Sequence, residues 1–376
     1  MEPYIGDEEV IRMLRRDKDI NYIAFVTSSW HYLCTLASLS VLQKQRKLKK
    51  GIILISEHSG AGYIIDPKLL NASISEEIPK YNFKFTTLPK WGTVMRYLTS
   101  EVASSKSEFY ILRPVAPKIE FSTKLWKKNV RENIIHIVTD EGLGVYLRSY
   151  RGWMAEENID LHSPQFWNQL QNRTWRKVFQ DIILTKKKQL LYNTFFKDVD
   201  KRIYINKACV NGLRQVLDDL QKEYDLSDYE YYSNKIVICT QTYGEEQKIN
   251  NNLDIKRISD ICREAAEKNI GVVIKPHPRE RDLGKYSKTG AVIDTNATVP
   301  LEIVLAGLKE PPKCIVGITT TVLLTARILW NMKCFSLIKL MGKDAFKDSI
   351  CEEITNFEGR FSAYVSIPDK ISRIVD

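Results

Sequence analysis

Short apolar runs of strand length alternate along this chain with segments of helix length, and the alternation occurs twice. Strand-like runs of the first half are YIAFVTSS (22–29), GIILIS (51–56), EFYILRP (108–114) and NIIHIVTDEG (133–142). Those of the second half are KIVICTQ (235–241), GVVIKPHP (271–278), AVIDTN (291–296), KCIVGI (313–318) and CFSLIKL (334–340). Continuous apolar strands separated by helices are typical of parallel sheets that are covered on both faces. The pattern therefore predicts two α/β halves.

Helical spacing occurs between these runs, at 30–48, 253–269, 299–308 and 319–330, and we expect residues 145–230 to be mostly helical. A chain of 376 residues exceeds the ~250–300 residues at which a single core stops growing. We therefore predict two domains that meet near 195–232. Residues 1–200 would form a Rossmann-like domain with a helical extension, and residues 201–376 a second Rossmann-like domain.

The sequence shows neither the pattern of a secretory signal nor that of a membrane-spanning helix. The N-terminal stretch mixes charges and lacks the apolar centre of a secretory signal, and no run approaches ~18 uninterrupted apolar residues. The seven cysteines are odd in number, lack a CxxC pair and in several cases lie inside apolar runs. These features predict a cytoplasmic protein with reduced, buried thiols.

Positive charge dominates, with a net charge of +10, which indicates an anionic partner. Between residues 172 and 202, nine Lys or Arg stand against three Asp, with apolar and aromatic residues interleaved. This segment fits a solvated helix face, and it also fits a basic amphipathic surface resting on anionic lipid. No recognised nucleic-acid motif accompanies the charge, so no nucleic-acid partner is expected.

Two adjacent carboxylates, Asp140 and Glu141, come at the end of the run 133–142. Because they repel each other, one of them is suited to take up a proton as a general base. Gly142 follows and allows a positive φ or the close approach of a ligand. A plain turn or an acidic helix start would show the same residues, so both interpretations stay open.

A histidine stands between two prolines where the run GVVIKPHPRE (271–280) ends. Proline fixes φ at about −65° and donates no backbone N–H, and the residue before a proline is pushed toward extended conformations. His277 is therefore held in a stiff, non-helical arch, flanked by Lys275 and Arg279. The arrangement suits an anionic ligand, although a buried structural histidine fits it as well.

Three consecutive threonines, Thr319, Thr320 and Thr321, occupy a predicted strand-to-helix junction. Their hydroxyls and the N–H groups of a first helical turn are suited to bind an anion. Ordinary N-capping by threonine explains the same position without a ligand.

The three motifs, in this order, resemble those of bacterial sialyltransferases, which share a D/E-D/E-G motif, a later HP motif and a final Ser/Thr pair. The chain is most similar to the lipooligosaccharide sialyltransferases of glycosyltransferase family 52, with the capsular polysialyltransferases as close relatives. The resemblance extends over roughly residues 20–345, and the threonine triplet departs from the commoner serine pair. It implies the GT-B architecture, in which two Rossmann-like domains face a central cleft and ligands bind at the strand C-terminal ends.

The resemblance also implies roles for the matching residues. Asp140 would deprotonate the acceptor hydroxyl, and His277 would assist the departure of CMP. Residues 1–200 would bind the acceptor and residues 201–376 the donor. The donor side would comprise Gln241, Gly244, Lys275, Pro278, Glu302, Thr319, Thr320 and Thr321. The acceptor side would comprise Ser28, Ser29, Glu141 and Gly142.

The activity implied is inverting transfer of sialic acid from CMP-Neu5Ac to a hydroxyl of a capsular or lipooligosaccharide glycan. The leaving group, CMP, carries a single phosphate group. There is no pyrophosphate for a divalent cation to bind, so no metal or other cofactor is expected. Asp198-Val-Asp200 has the spacing of a metal-binding DxD motif, but its basic flanks favour a solvated loop.

Two alternatives remain open at this point. One is another cytidine-nucleotide-dependent transferase, acting on CMP-Kdo or a CDP-polyol. The other, from a different class, is a basic nucleic-acid-binding protein. For the sialyltransferase the expected partners are CMP-sialic acid, a glycan acceptor and the anionic inner face of the cell membrane, with a homodimer left open.

Overall fold

Two compact units make up the fold. The computed structural model describes residues 4–44, 48–56, 65–71, 80–85, 94, 97, 108–113, 134–140, 142–143, 147, 190–193, 196–199, 202–250, 252–296 and 298–376. Unit 1 comprises Met1–Glu141 and Asp160–Asp219, and unit 2 comprises Gly142–Ile159 and Leu220–Asp376. Each unit contains one parallel sheet, so the predicted α/β class with two parallel sheets is confirmed.

The sheet of unit 1 has seven strands, all in parallel pairs. They are β1 (Tyr4–Ile5), β2 (Ile20–Val26), β3 (Lys50–Ser56), β4 (Lys80–Phe85), β5 (Phe109–Arg113), β6 (Ile134–Thr139) and β7 (Leu190–Asn193). Their order across the sheet is β1-β4-β3-β2-β5-β6-β7. From β4 to β7 this is the Rossmann order, so the strand order reverses between β2 and β5, where ligands bind in such sheets.

The described helices of unit 1 are α1 (Asp7–Arg16), α2 (Ser29–Lys44), α3 (Pro67–Asn71) and α4 (Lys207–Leu220). Val10 and Leu14 lie one turn apart on α1 and pack into a buried cluster with Ile23 and Phe25 of β2. Every residue of β2 is buried, because a central parallel strand is covered on both faces. Strands β8 (Phe196–Val199) and β9 (Arg202–Ile205) pair as a separate antiparallel hairpin.

Unit 2 has a five-stranded parallel sheet made of β10 (Ile236–Cys239), β11 (Val272–Lys275), β12 (Val292–Ile293), β13 (Cys314–Gly317) and β14 (Cys334–Ser336). The order is β12-β11-β10-β13-β14, so the reversal lies between β10 and β13. The helices are α5 (Leu253–Glu267), α6 (Leu301–Gly307), α7 (Thr321–Trp330), α8 (Ile338–Met341), α9 (Asp348–Phe361) and α10 (Ser372–Val375). Short 3₁₀ helices cover Ser227–Tyr232, Gly284–Tyr286 and Lys343–Ala345.

The helical prediction for 145–230 holds at Leu147 and is wrong for the described residues between 190 and 205. Strands β7, β8 and β9 lie there, each four residues long. Four residues are too few to show the alternating pattern by which a strand is recognised in a sequence. The conformation of β7 is instead set by its pairing with β6. Asp198 lies in β8 and not in a loop, while Asp200 and most of the basic segment 172–202 fall outside the described residues.

Two further differences concern boundaries. The run 334–340 stops being a strand at Ser336 and continues as helix α8. The predicted division falls after residue 200, whereas the compact units change after Asp219, and the segment from Gly142 to Ile159 is assigned to unit 2.

The cysteines all lie in the described part of the chain, and no disulfide joins them. Across the described residues, no helix combines the length and apolarity needed to cross a membrane.

Candidate active site

The acidic motif lies where β6 ends in unit 1. Asp140 follows β6 directly and is buried, and its Oδ1 accepts a hydrogen bond from Trp30 Nε1 at 3.2 Å. Trp30 lies at the start of α2, just after β2, and β2 and β6 are both neighbours of β5. Gly142 has φ +100°, a left-handed conformation that favours glycine. Glu141 lies outside the described residues.

Ser28 and Ser29, predicted on the acceptor side, both accept hydrogen bonds from backbone N–H groups. Ser28 Oγ accepts from the His31 N–H at 3.2 Å, and Ser29 Oγ accepts from the Asp66 N–H at 3.1 Å. These bonds fix the connection between β2 and α2 and tie it to the start of α3. A contact of either serine with an acceptor stays a prediction.

The histidine arch follows β11 in unit 2. His277 Nδ1 accepts a hydrogen bond from the Arg279 N–H at 3.1 Å. A ring nitrogen that accepts carries no proton, so the neutral imidazole carries its proton on Nε2. His277 is half-buried and Pro278 is exposed. The arch therefore presents an imidazole with an Nε2–H donor, which is suited to an anionic oxygen.

One buried carboxylate, that of Glu280, accepts from four donors around this arch. Its Oε2 accepts from the His277 N–H at 2.8 Å and from the Thr240 hydroxyl. Its Oε1 accepts from Lys285 Nζ and from the Tyr286 hydroxyl, each at 2.7 Å. The Glu280 side chain is fully buried. Four donors satisfy the lone pairs of both oxygens, as a buried polar group requires.

The strand reversal between β10 and β13 is bridged by side chains. Gln241 Oε1 accepts from the Thr319 N–H at 3.0 Å, and Gln241 Nε2 donates to Thr319 Oγ1 at 3.3 Å. The Tyr243 hydroxyl lies 2.6 Å from Thr319 Oγ1 and donates to Glu353 Oε1 of α9 at 2.5 Å. Gln241, Thr319, Tyr243 and Glu353 thus form one hydrogen-bonded chain, and burial raises the pKa of Tyr243.

The backbone at this reversal leaves room only for glycine. A Cβ on Gly317 would lie 2.7 Å from Thr320 Cγ2 and 3.1 Å from the Cys239 carbonyl oxygen. The close approach brings the start of α7 against the end of β10. The N-terminal N–H groups of α7 are thereby placed at the C-terminal edge of the sheet.

The three threonines differ in their surroundings. Thr319 is buried and held by Gln241, whereas Thr320 and Thr321 are half-buried at the start of α7. Thr320 is the N-cap residue and makes no side-chain capping bond. Thr321 Oγ1 accepts from the Leu143 N–H at 3.0 Å. The structure therefore brings Thr320 and Thr321 to the surface at a helix N-terminus and leaves Thr319 beneath them.

Lys275 is buried beneath the arch. Its Nζ lies 2.7 Å from Asp294 Oδ2 and donates to the Asn296 carbonyl oxygen at 2.7 Å. Burial lowers the pKa of Lys275 despite the neighbouring carboxylate. These bonds hold the loop after β12, and a contact of Lys275 with a donor stays a prediction.

The remaining predicted donor residues are Glu302 and Gly244. Glu302, in the first turn of α6, is buried and accepts from the Thr325 hydroxyl at 2.8 Å, and burial raises its pKa. A Cβ on Gly244 would lie 3.2 Å from Asp254 Oδ2. In the parts of the chain that the structure describes, no group of three or more His, Cys, Asp or Glu is arranged to hold a metal ion.

Sequence reasoning missed the side chains that hold the predicted ones, namely Trp30, Glu280, Tyr243 and Glu353. Trp30 directly follows the predicted Ser29, and Glu280 lies three residues after His277, so both were visible as neighbours of a motif. Glu353 lies far from every motif along the chain and carried no such signal.

Comparison with known proteins gives a family match over most of the chain. The family model described as alpha-2,8-polysialyltransferase (POLYST) matches residues 23–339. No curated protein matches the chain.

Several solved structures are similar at low identity. The GT-B domain of a sialyltransferase from Photobacterium damselae is 12% identical, with 92% of this chain and 99% of that chain covered and a TM-score of 0.43. The wall teichoic acid polymerase TagF (H548A) is 12% identical, with 98% and 91% covered and a TM-score of 0.41. A UDP-N-acetylglucosamine 2-epimerase from Listeria monocytogenes, described in its structure as putative, is 10% identical, with 95% and 86% covered and a TM-score of 0.49. At these values the structures do not assign a function.

Proposed function

The chain belongs to the alpha-2,8-polysialyltransferase family, and on that premise we propose that it transfers sialic acid from CMP-Neu5Ac to a sialylated glycan. The observation that carries this proposal is the C-terminal edge of the unit 2 sheet. There the arch of His277 follows β11, and Thr320 and Thr321 start the helix that follows β13. β10 lies between β11 and β13 and ends beside both.

The donor phosphate is the ligand that this edge suits. The Nε2–H of His277 donates to a phosphate oxygen, and the N–H groups and hydroxyls at the start of α7 supply further donors. CMP carries one phosphate, so these donors neutralise the departing charge, and we propose that no metal ion is required. Glu302 would accept from the ribose of the nucleotide.

The transfer step follows from the proposed roles. Asp140 takes the proton of the acceptor hydroxyl as its oxygen attacks the anomeric carbon of the sialic acid. The bond from that carbon to the phosphate oxygen breaks, and its electron pair leaves with CMP, next to His277. A single displacement with an oxocarbenium-like transition state inverts the anomeric centre.

The acceptor is the least constrained part of the proposal. The family description supports a glycan that already ends in sialic acid, with an α2,8 linkage formed. A net charge of +10 suits such a polyanion, and it equally suits the anionic inner face of a cell membrane, where the reaction would take place.

The test is an incubation of the full chain with CMP-Neu5Ac, with CMP-Kdo or with a CDP-polyol, each with and without EDTA. Separate reactions contain an α2,8-linked sialic acid oligomer, a lactoside, or buffer alone, and CMP release and glycan mass are measured. We expect CMP release with an oligomer longer by one or more sialic acids. Transfer from CMP-Kdo or a CDP-polyol with none from CMP-Neu5Ac would contradict the proposal, and so would complete inhibition by EDTA.

A further inference from the structure

We propose that Glu280 is a positioning residue whose buried carboxylate holds the His277 imidazole with its Nε2–H toward the donor phosphate. The inference deepens the proposed function and rests on it. Glu280 touches neither donor nor acceptor in this account. It acts through the backbone of His277.

Backbone donors are scarce in the arch. Pro276 and Pro278 have no N–H, so the His277 N–H is the one amide donor between them. That donor goes to Glu280 Oε2 at 2.8 Å and makes a longer second bond to Thr240 Oγ1 at 3.3 Å. The spacing of three residues between His277 and Glu280 lets the side chain fold back on the arch, in the manner of a local side-chain-to-backbone turn.

The bond from the His277 N–H to Glu280 is coupled to the orientation of the imidazole ring. The residues from His277 to Glu280 form a turn closed by the Glu280 N–H, which donates to the His277 carbonyl oxygen at 2.9 Å. The Arg279 N–H, inside the same turn, donates to the ring Nδ1. When the carboxylate holds the start of the turn, the ring keeps its donor at Nδ1 and its proton at Nε2.

The same carboxylate is also held through its other oxygen, Oε1. Lys285 and Tyr286, in the 3₁₀ helix Gly284–Tyr286, both donate to Oε1, while Thr240 at the end of β10 donates to Oε2. One side chain thus joins the arch to β10 and to the 3₁₀ helix. A group held from three segments has little freedom, which is what preorganisation of a donor requires.

A neighbouring glutamate provides the matched control. Glu245 accepts from Lys285 Nζ at 3.1 Å and from the Arg281 and Asp282 N–H groups at 3.2 Å. It holds the same loop and shares a lysine with Glu280, but its bonds go to Arg281, Asp282 and Lys285, which follow the arch in the chain. Glu245→Gln therefore perturbs the loop without loosening His277.

The experiment compares Glu280→Gln and Glu245→Gln in the full chain. The substitution replaces one carboxylate oxygen, which accepts two hydrogen bonds, by an amide NH₂ group, which donates. We therefore expect the arch to shift, and a shift of about 1 Å can lower the rate ~100-fold. We expect kcat of Glu280→Gln to fall by about 100-fold, with KM for CMP-Neu5Ac changed by less than about threefold and kcat of Glu245→Gln near wild type.

A second readout needs no substrate. In chain labelled with ¹⁵N-histidine, and with His277→Ala used to assign the signal, the ring nitrogens of His277 report the tautomer. We expect the Nε2–H tautomer in the wild type and in Glu245→Gln, and a mixture in Glu280→Gln. If the wild type transfers no sialic acid at all, the proposed function fails, and the tautomer comparison still decides the positioning role.

Thr240→Val covers the case in which Glu280→Gln does not fold. This isosteric change keeps the carboxylate and removes the hydroxyl that donates to Oε2 and accepts the longer bond from the His277 N–H. We expect a smaller fall in kcat, about tenfold, with a partial change of tautomer. Folded Glu280→Gln or Thr240→Val with the kcat and tautomer of the wild type would overturn the proposal. Equal losses in Glu280→Gln and Glu245→Gln would overturn it too, because they would show a role in loop stability only.

Discussion

Lys275→Met separates a structural role of this lysine from contact with the donor. Lys275 is 6% exposed and Asp294 is 2% exposed, and Nζ lies 2.7 Å from Asp294 Oδ2. The substitution leaves the Asp294 carboxylate buried with the Tyr232 hydroxyl and the Asn296 N–H as its donors. Removing one partner of a buried ion pair costs about 3–5 kcal/mol. For a cooperative unit of this size, ~2–4 °C per kcal/mol predicts a fall in Tm of about 6–20 °C.

The assay is thermal unfolding of the full chain, followed by circular dichroism and by calorimetry, with Lys256→Met as the control. Lys256 lies exposed on α5, so its replacement should change Tm by little. In the double variant Lys275→Met/Asp294→Asn no buried charge remains without its partner, and we expect about 1–3 kcal/mol of the loss to be recovered.

A Tm of Lys275→Met close to that of the wild type would refute this reasoning. If KM for the donor rose at the same time, Lys275 would be a direct contact of the donor phosphate. Additive effects of the two substitutions would also refute it, because they would show that the pair is not coupled.

Three further predictions concern single side chains of the two units. Trp30→Phe removes a donor to Asp140, so kcat should fall by about 10- to 100-fold with KM for the donor unchanged, as steady-state kinetics will show. Burial raises the pKa of Glu302, so the folded chain keeps a proton that the unfolded chain loses, and stability falls as pH rises above the ordinary glutamate pKa. Glu302→Gln should abolish that dependence in melting curves at several pH values and weaken CMP binding about tenfold in calorimetric titration. Tyr243→Phe interrupts the bonded chain beneath Thr319, so unfolding should become easier by about 1–3 kcal/mol and KM for the donor should rise, measured by thermal melts and kinetics.

The strand ends could be predicted because a strand that is buried on both faces consists almost entirely of apolar residues. Strands β10, β11 and β13 are buried at every residue, so each reads as an unbroken apolar run that stops at polar residues. In a parallel sheet those stops lie at one edge. Gln241, His277 and Thr319 could therefore be assigned to one edge before the structure was seen.

The partners of these side chains could not be predicted in the same way. The bonds Trp30–Asp140 and Tyr243–Glu353 each span 110 residues of sequence, and such pairings are set by tertiary packing, not by local pattern. The Asp294 partner of Lys275, 19 residues further along the chain, was likewise not visible in the sequence pattern, and a contact of Lys275 with the donor stays a prediction.

The measurement that tests the central claim most directly is the effect of His277→Ala on sialic acid transfer from CMP-Neu5Ac. With Tm and CMP affinity measured alongside, the account predicts a fall in kcat of about 10²- to 10⁴-fold in a folded protein. Transfer by folded His277→Ala at the rate of the wild type would contradict it.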